Sequence, residues 1–184
     1  MVAGPGIPPP DTVCGMPEVR IRPYHEEDAA ALDAVTQEPG TFEFFGYRST
    51  NAFRSRYARD GMITEDHGNL AVVVDGVGLV GDVGWFAVQH GPGPIARALN
   101  IGIFLVPEHR GQGYGTEAQR LIAEYLFAYR LVERLEASTD VANVAEQRAL
   151  EKAGFTREGV LRHSQFRDGA WHDNVLYSRL RGDH

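Results

Sequence analysis

The sequence contains few of the residues that most often carry cross-links, metals or membrane spans. Cys14 is the only cysteine among 184 residues, which excludes an intrachain disulfide and a thiolate metal cluster. The seven histidines are scattered and form no His-Glu-x-x-His pair, so we predict no metal site. No apolar run approaches the roughly 20 residues of a transmembrane helix, and we predict no membrane association.

Positive charge is also scarce, with 18 basic residues against 25 acidic ones and a net charge of −7. A protein that binds nucleic acid by releasing counterions normally carries the opposite sign, so we predict no nucleic-acid partner. The N terminus has neither the basic start nor the apolar segment of a secretory signal. We therefore expect a cytoplasmic protein.

Composition divides the chain near residue 17. Five of the ten prolines stand within residues 1–17, which have too little apolar surface to offset the entropy of ordering. We predict a flexible tail over 1–17 and one domain over 18–184, since no repeat and no second change of composition follows.

Hydrophobic periodicity over the rest of the chain predicts the α/β order β-α-α-β-β-β-α-β-α-β-β. The predicted strands are Val19–Arg22, Leu70–Val74, Val77–Val88, Leu99–Val106, Arg134–Thr139, Thr156–Phe166 and Trp171–Leu180. The predicted helices are His25–Val35, Asn51–Asp60, Gly113–Tyr129 and Val144–Ala153. Asp75-Gly76 predicts a two-residue hairpin turn.

The most informative segment connects the strand before Pro107 to the long helix after Gly113. Its three alternating glycines permit positive φ and a close approach of the backbone to a ligand. Free N–H groups at the helix start then form a cradle suited to phosphate or pyrophosphate. The segment lacks the Gly-Lys of a Walker loop, and its Gly-x-Gly-x-Gly spacing departs from the dinucleotide fingerprint. A plain glycine-rich turn is the alternative.

Two blocks of sequence resemble the GCN5-related N-acetyltransferases. Arg110-x-x-Gly113-x-Gly115 resembles that family's Arg/Gln-x-x-Gly-x-Gly/Ala acyl-CoA motif. The second block, residues 143–155, is similar to the Asn-x-x-Ser-x-x-x-Leu-Glu-Lys-x-Gly-Phe of the bacterial-type branch that acetylates ribosomal-protein N termini. The blocks lie about 30 residues apart, as the family requires, and the predicted element order matches over Val19 to Leu180.

This resemblance implies a fold and an activity. The fold is a mixed central sheet of six to seven strands flanked by helices and splayed between the fourth and fifth strands. The activity is transfer of an acetyl group from acetyl-coenzyme A to an amine, in a small molecule or a protein N terminus, by direct attack in a ternary complex. A monomer or a homodimer is expected. The alternatives are a non-catalytic acyl-CoA-binding protein and a transferase with a longer acyl donor or a hydroxyl acceptor.

The resemblance also implies which residues bind the coenzyme. The pyrophosphate is expected on the backbone amides of Gly111, Gln112, Gly113, Tyr114, Gly115 and Thr116, with Arg110 framing the turn. The pantetheine arm is expected along the strand edge formed by Phe104, Leu105 and Val106. Asn143 is expected either to contact that arm or to support the neighbouring backbone. A backbone N–H near Phe104 or Leu105 is expected to bind the thioester oxygen.

The catalytic residues are less determined, because the family's usual acids and bases are replaced. Leu150 stands where many members have a proton-donating Tyr, and Asn100 where an acidic residue is common. Asp82 is a candidate base acting through water, or a residue of the solvent face. Glu146 replaces the Ser of the ribosomal branch, and it is either a thiolate-proton donor or half of a capping box with Asn143. We predict the capping box, since a Glu with an ordinary pKa of about 4.3 is ionised at neutral pH.

Overall fold

The strands lie close to where periodicity predicts them. The structure is a computed structural model that describes residues 17–38, 41, 43–44, 52–93 and 95–183. Its strands are β1 (Val19–Arg22), β2 (His67–Val74), β3 (Gly78–Gln89), β4 (Arg97–Leu105), β5 (Arg134–Asp140), β6 (Thr156–Arg167) and β7 (Ala170–Leu180). The predicted tail lies outside the described residues, apart from Pro17.

The four predicted helices are also present. They are α1 (Glu26–Val35), α2 (Ala52–Asp60), α3 (Tyr114–Tyr129) and α4 (Val144–Lys152), and a short 3-10 helix at Pro107–His109 precedes α3. Asn51, the predicted start of α2, lies outside the described residues. No helix among the described residues combines the length and the apolar character needed to cross a bilayer.

The described strands form one seven-stranded sheet in the order β1-β2-β3-β4-β5-β7-β6. Every neighbouring pair is antiparallel except β4 and β5, which run parallel. The chain can make this one parallel pairing because α3 serves as the crossover between the two strands. The predicted mixed sheet of an α/β fold is confirmed.

The two faces of the sheet have different cores. Ile122 and Leu126 of α3 and Leu150 of α4 pack with Leu99 and Leu135 in the larger cluster. The opposite face is covered only in part, where α1 and α2 pack on β2 and β4. That smaller cluster includes Leu32, Phe53, Ala71 and Phe104. Among the described residues, helices therefore pack on both faces of one part of the sheet and on one face of the part around β5.

The β2–β3 hairpin differs from its prediction by one residue. β2 ends at Val74 and β3 begins at Gly78, so the turn has three residues, closed by a hydrogen bond from Val77 N–H to Val74 O. Gly76 and Gly78 both have positive φ. Three-residue hairpin loops commonly place a glycine in this conformation after the turn. The place of the turn was predicted correctly from Asp75-Gly76. The turn is one residue longer than predicted, because Gly78 also adopts a positive φ.

Candidate active site

The parallel strands β4 and β5 separate partway along their length. Only three residue pairs are in register, Leu99 with Leu135, Asn100 with Glu136 and Ile101 with Ala137. Both strands continue beyond the last pair, β4 to Leu105 and β5 to Asp140. The splayed pair that the sequence comparison implied is therefore confirmed, and it opens a wedge in the middle of the sheet.

The β4 edge of this wedge presents unpaired backbone groups. Val106 N–H donates to Val80 O, toward β3. Because N–H directions alternate along an extended strand, the N–H of Leu105 points the other way, into the wedge. Of the two positions that the sequence left open, the geometry favours Leu105 over Phe104. Leu105 O accepts a hydrogen bond from Arg110 Nε at 3.0 Å, so this residue offers its N–H rather than its carbonyl.

The glycine turn leads from the wedge into α3. Gly111 and Gly113 have φ of 75° and 85°, a conformation that favours glycine. Gly113 is the N-cap residue of α3, and no side chain caps the helix there. The first N–H groups of α3, from Tyr114 to Thr116, therefore lack the side-chain acceptor that usually satisfies a helix start. This terminus is suited to bind an anion.

Arg110 holds the turn against the rest of the fold. Besides Leu105 O, its guanidinium donates from Nη2 to Thr41 O at 2.8 Å. The side chain of Gln112 donates to Glu108 O at 3.2 Å, within the same turn. Arg110 thus frames the cradle, as the resemblance to the family implied. Its guanidinium binds two backbone carbonyls and is not itself aimed at an anion. The ten residues between Phe104 and Thr116 that were predicted to bind coenzyme all lie in the segment that leads from the end of β4 into α3.

The start of α4 lies on the other side of the wedge. Asn143 caps this helix, because its Oδ1 accepts from Glu146 N–H at 3.3 Å, and its Nδ2 donates to Thr139 Oγ1 at 3.0 Å. The reciprocal half of the predicted capping box is wrong. Asn143 N–H donates to Asp140 O instead, and the Glu146 carboxyl turns away toward α3.

Glu146 is not an ordinary ionised surface acid. Its Oε1 accepts a hydrogen bond from Gln119 Nε2 at 2.8 Å, across the α3–α4 contact. Burial raises the pKa of Glu146 to about 7, against a smaller lowering effect from the Gln119 hydrogen bond. The prediction that this carboxyl has an ordinary pKa is wrong, because the charged form is desolvated more than one amide can compensate. At neutral pH it can both hold and release a proton.

Gln119 adds a second polar feature to this contact. The residue is 1% exposed, and its Oε1 has no hydrogen-bond partner among the described residues. An unpaired buried amide oxygen costs free energy unless another donor reaches it. If the Gln119 amide is turned by 180°, its oxygen takes the place of its nitrogen and faces Glu146. A neutral Glu146 can then donate a hydrogen bond to that oxygen.

Asp82, the other candidate base, is enclosed by its own partners. It is 3% exposed, which makes the solvent-face alternative wrong. Its carboxylate accepts hydrogen bonds from Tyr24 Oη at 2.7 Å and from Asn69 Nδ2 at 2.9 Å. These contacts connect the β1–α1 loop, β2 and β3, so the structure favours a structural role for Asp82.

Sequence reasoning missed a charged cluster on the face of the sheet opposite α3. Its members are His90, Arg134, Glu136, Glu158 and Ser178. Arg134 Nε donates to Glu136 Oε1 at 2.6 Å, and Glu158 accepts from Ser178 Oγ at 2.6 Å. The local signal was the alternation of polar and apolar residues along β5, which places Arg134, Glu136 and Ser138 on one face.

Comparison with known proteins places this geometry in a family. The model of the "Acetyltransferase (GNAT) domain" matches residues 18–156. A probable N-acetyltransferase of Bacillus subtilis, YjcK, is 36% identical over 105 residues, which are 57% of this chain and 56% of that protein. The match thus spans little more than half of that relative.

Solved structures share the fold. The spermidine N-acetyltransferase of Vibrio cholerae, in complex with CoA and spermine, superposes with a TM-score of 0.75 at 18% identity, covering 90% of this chain and 96% of that one. RimJ of Mycobacterium smegmatis, in complex with CoA-disulfide, has a TM-score of 0.70 at 23% identity, covering 88% and 81%. With its splayed parallel strands, its glycine turn and the family match over most of its length, the chain belongs to the GNAT acetyltransferase family.

Proposed function

We propose that the protein is an N-acetyltransferase that transfers an acetyl group from acetyl-coenzyme A to an amine by direct attack. The observation that carries this proposal is the wedge between β4 and β5, which opens beside an uncapped helix start. One side offers backbone N–H groups to an anion, and the other leads to an open face of the sheet. Two substrates can thus meet at one opening from opposite faces.

The described residues fit acetyl-coenzyme A. The N–H groups from Gly111 to Thr116 would hold the pyrophosphate, because the helix start has no acceptor of its own. The free edge of β4 and the cap residue Asn143 would border the pantetheine arm. When bound, the coenzyme supplies an acetyl group activated as a thioester. Leu105 N–H would donate to the thioester oxygen and stabilise the charge that develops there.

Glu146 is the residue we propose as proton donor to the departing thiolate. It stands in the first turn of α4, three residues after the cap residue, with its partly buried carboxyl against Gln119. A general acid works best when its pKa is close to the operating pH, and burial raises the pKa of Glu146 to about 7.

The acceptor is proposed to be an amine. The names of similar proteins support this class, since they include a spermidine N(1)-acetyltransferase and a ribosomal-protein-serine acetyltransferase of Escherichia coli. They differ in whether the amine belongs to a small molecule or to a protein N terminus. Both kinds of acceptor therefore belong in the first assay.

The test has two parts, binding and turnover. Acetyl-coenzyme A should raise the melting temperature in a concentration-dependent way, because a ligand that binds only the folded state stabilises it. A panel of alkylamines, aromatic amines and N-terminal peptides should then release free coenzyme A thiol, with acetylated product seen by mass spectrometry. Binding without turnover on any amine would contradict the transferase proposal and favour an acyl-CoA-binding protein. The absence of binding would contradict the site itself.

A further inference from the structure

Glu136 lies at the foot of the wedge, on the face away from α3. Its neighbours in sequence, Leu135 and Ala137, belong to the core beneath α3. Side chains alternate along a strand, so Glu136 points to the opposite face. It pairs with Asn100, one position before the last in-register pair of β4 and β5.

This carboxylate is buried but only half satisfied. Glu136 is 3% exposed, and its Oε1 accepts from His90 Nε2 at 2.7 Å and from Arg134 Nε at 2.6 Å. Its second oxygen, Oε2, accepts no hydrogen bond from any residue in the described ranges, yet it is not sealed from solvent. The described residues supply no donor to this oxygen, so water or a ligand must supply one.

The charges around Glu136 indicate which kind of donor would fit. Hydrogen bonds from Arg134 and then from Ser178 lower the pKa of Glu158 to about 2, so Glu158 is a fixed negative charge. Glu136 and Glu158 thus share one guanidinium, that of Arg134. These two carboxylates and one guanidinium leave one negative charge in excess. A cation would balance it, whereas a neutral hydroxyl would not.

The surface above Glu136 leaves room for a ligand. Gly102 and Ser138, the next residues of β4 and β5 on this face, are both exposed. A Cβ built on Gly102 would meet no atom within 4 Å. Two residues along a strand span about 6.6 Å, so an ammonium group level with Gly102 can reach Glu136 directly or through one water. The thioester on Leu105 N–H lies three residues further along β4, so the amine moves toward it after it has lost its proton. Phe86, which pairs with Asn100 and is 53% exposed, borders the same space with an apolar ring.

We propose, on the basis of the proposed function, that Glu136 Oε2 receives the ammonium group of the acceptor and takes its proton. The ammonium loses one proton to Glu136, and the freed electron pair forms the N–C bond to the thioester carbon. The C–S bond breaks with its electrons on sulfur, which takes the proton of Glu146 and leaves as thiol. The second nitrogen proton passes to solvent as the amide forms, and Glu136 and Glu146 return to their starting protonation states by exchange with solvent. His90, hydrogen-bonded to Glu136 and with its side chain 50% exposed, connects the buried acid to solvent.

The first test measures binding without turnover. Butylammonium is titrated into the protein saturated with coenzyme A, and the amide signals of Gly102 and Ser138 are followed by NMR. We expect saturable shifts in the wild type and at least a tenfold loss of affinity in Glu136→Gln. Glu133→Gln is the matched control, since it removes an exposed carboxylate that precedes Arg134 in sequence and lies outside the cluster, and its affinity should stay within threefold. Equal affinity in wild type and Glu136→Gln, or no binding to the wild type, would overturn the proposal.

The second test separates proton transfer from structural damage. The best alkylamine and the best aromatic amine from the panel are compared at pH 7, where the first is an ammonium ion and the second is neutral. We expect Glu136→Gln to lower kcat/KM about a hundredfold for the alkylamine and less than threefold for the aromatic amine. Equal losses for both amines would overturn the role.

The two proposals can fail separately. If the wild type acetylates no amine, the proposed function fails, and the butylammonium titration still decides whether Glu136 binds a cation. If the wild type is active and Glu136→Gln matches it on alkylamines, only the role of Glu136 fails. Coenzyme A affinity, measured by calorimetry for each variant, should not change, because Glu136 lies on the opposite face from the glycine turn.

Discussion

Two helices of this fold carry an acid at the same position, the third residue, and the fold uses the two acids in opposite ways. Asp28 in α1 accepts from His25 N–H at 2.7 Å and from Arg22 at 2.6 and 3.0 Å. Burial alone would raise the pKa of Asp28, but the hydrogen bonds from Arg22 and His25 outweigh it and the pKa is lowered. Glu146 in α4 has only an amide as partner, and burial raises its pKa to about 7.

The comparison teaches that helix position does not determine what an acid does. The positive end of the helix dipole is near both carboxyls. The difference in pKa comes from the side chain that binds each carboxyl. This is the guanidinium of Arg22 for Asp28 and the neutral amide of Gln119 for Glu146. In α3 the same position is Thr116, which is uncharged, and that helix has no side-chain cap. One helix start is thus closed by its own acid, one carries an acid whose pKa is raised to about 7, and one has N–H groups that no side chain caps.

The largest expected effect is on turnover in Glu146→Gln. This change keeps the size of the side chain and removes the proton that we propose for the thiolate. We expect kcat to fall by about a hundredfold, within the range that general acids contribute. The wild type should lose activity as pH rises above about 7, where Glu146 ionises, and the variant should lack this alkaline limb. Stopped-flow or steady-state pH profiles on one good amine measure both effects.

Glu117→Gln is the control for that experiment, because Glu117 is also an acid in the first turn of its helix, α3. Its pKa is lowered, chiefly by a hydrogen bond from Arg120, so it stays ionised across the same pH range. We expect its pH profile to follow the wild type. A Glu146→Gln enzyme with unchanged kcat would show that solvent or the acceptor supplies the thiolate proton.

The second prediction places an acid at the third position of α3. Thr116→Glu adds a negative charge where the pyrophosphate is proposed to bind, while an acid in the first turn is favourable for the free helix. We expect the affinity for acetyl-coenzyme A to fall by ten- to a hundredfold, with the melting temperature of the free protein unchanged or slightly higher. Isothermal calorimetry and thermal melts measure these two quantities.

Thr116→Gln distinguishes charge from bulk at the same position, since it has the length of Glu without the charge. It should retain most of the affinity. If both variants bind acetyl-coenzyme A as the wild type does, the cradle is not at this helix start. If both lose binding equally, the site is sensitive to size, and the charge argument fails.

Much of this comparison was predictable from local sequence. The glycines before α3 and the acids at the start of α1 both lie within a few residues of the groups they affect, and periodicity predicted each element. What the sequence could not show depends on distant contacts. Gln119 and Glu146 are 27 residues apart, and His90 and Glu136 are 46 apart. The polar alternation of β5 indicated a polar face, but not which loop would supply the partner of its buried carboxylate.

The third prediction concerns Asp28→Ala, which removes the carboxylate that binds both the first turn of α1 and Arg22. The change deletes a cap acceptor and the bidentate partner of Arg22, whose own side chain stays partly exposed to water. We expect the free energy of unfolding to fall by about 2 kcal/mol, mostly from the lost cap and its charged hydrogen bonds. Urea unfolding measures the loss. Glu27→Ala, an exposed acid of the same turn, should stay within about 0.5 kcal/mol, and the affinity for acetyl-coenzyme A should not change in either variant.

The smallest effect is the pH dependence of stability that Glu146 contributes. Its pKa in the folded state is about 7, against an ordinary value of 4.5, so the folded protein binds more protons than the unfolded chain between these two values. Stability therefore falls as pH rises through this window, and below about 4.5 the effect is absent because both states are protonated. Gln cannot ionise, so Glu146→Gln should gain at least about 1 kcal/mol relative to the wild type between pH 4.5 and 8. Asp28, with a lowered pKa, contributes in the opposite direction and at lower pH, and it is present in both proteins.

The measured quantity is the difference in unfolding free energy between the two proteins at each pH, which cancels every other titrating group. If this difference in unfolding free energy does not change with pH, Glu146 ionises in the folded protein as it does in the unfolded chain. The contrast between the pKa of Asp28 in α1 and that of Glu146 in α4 would then not exist.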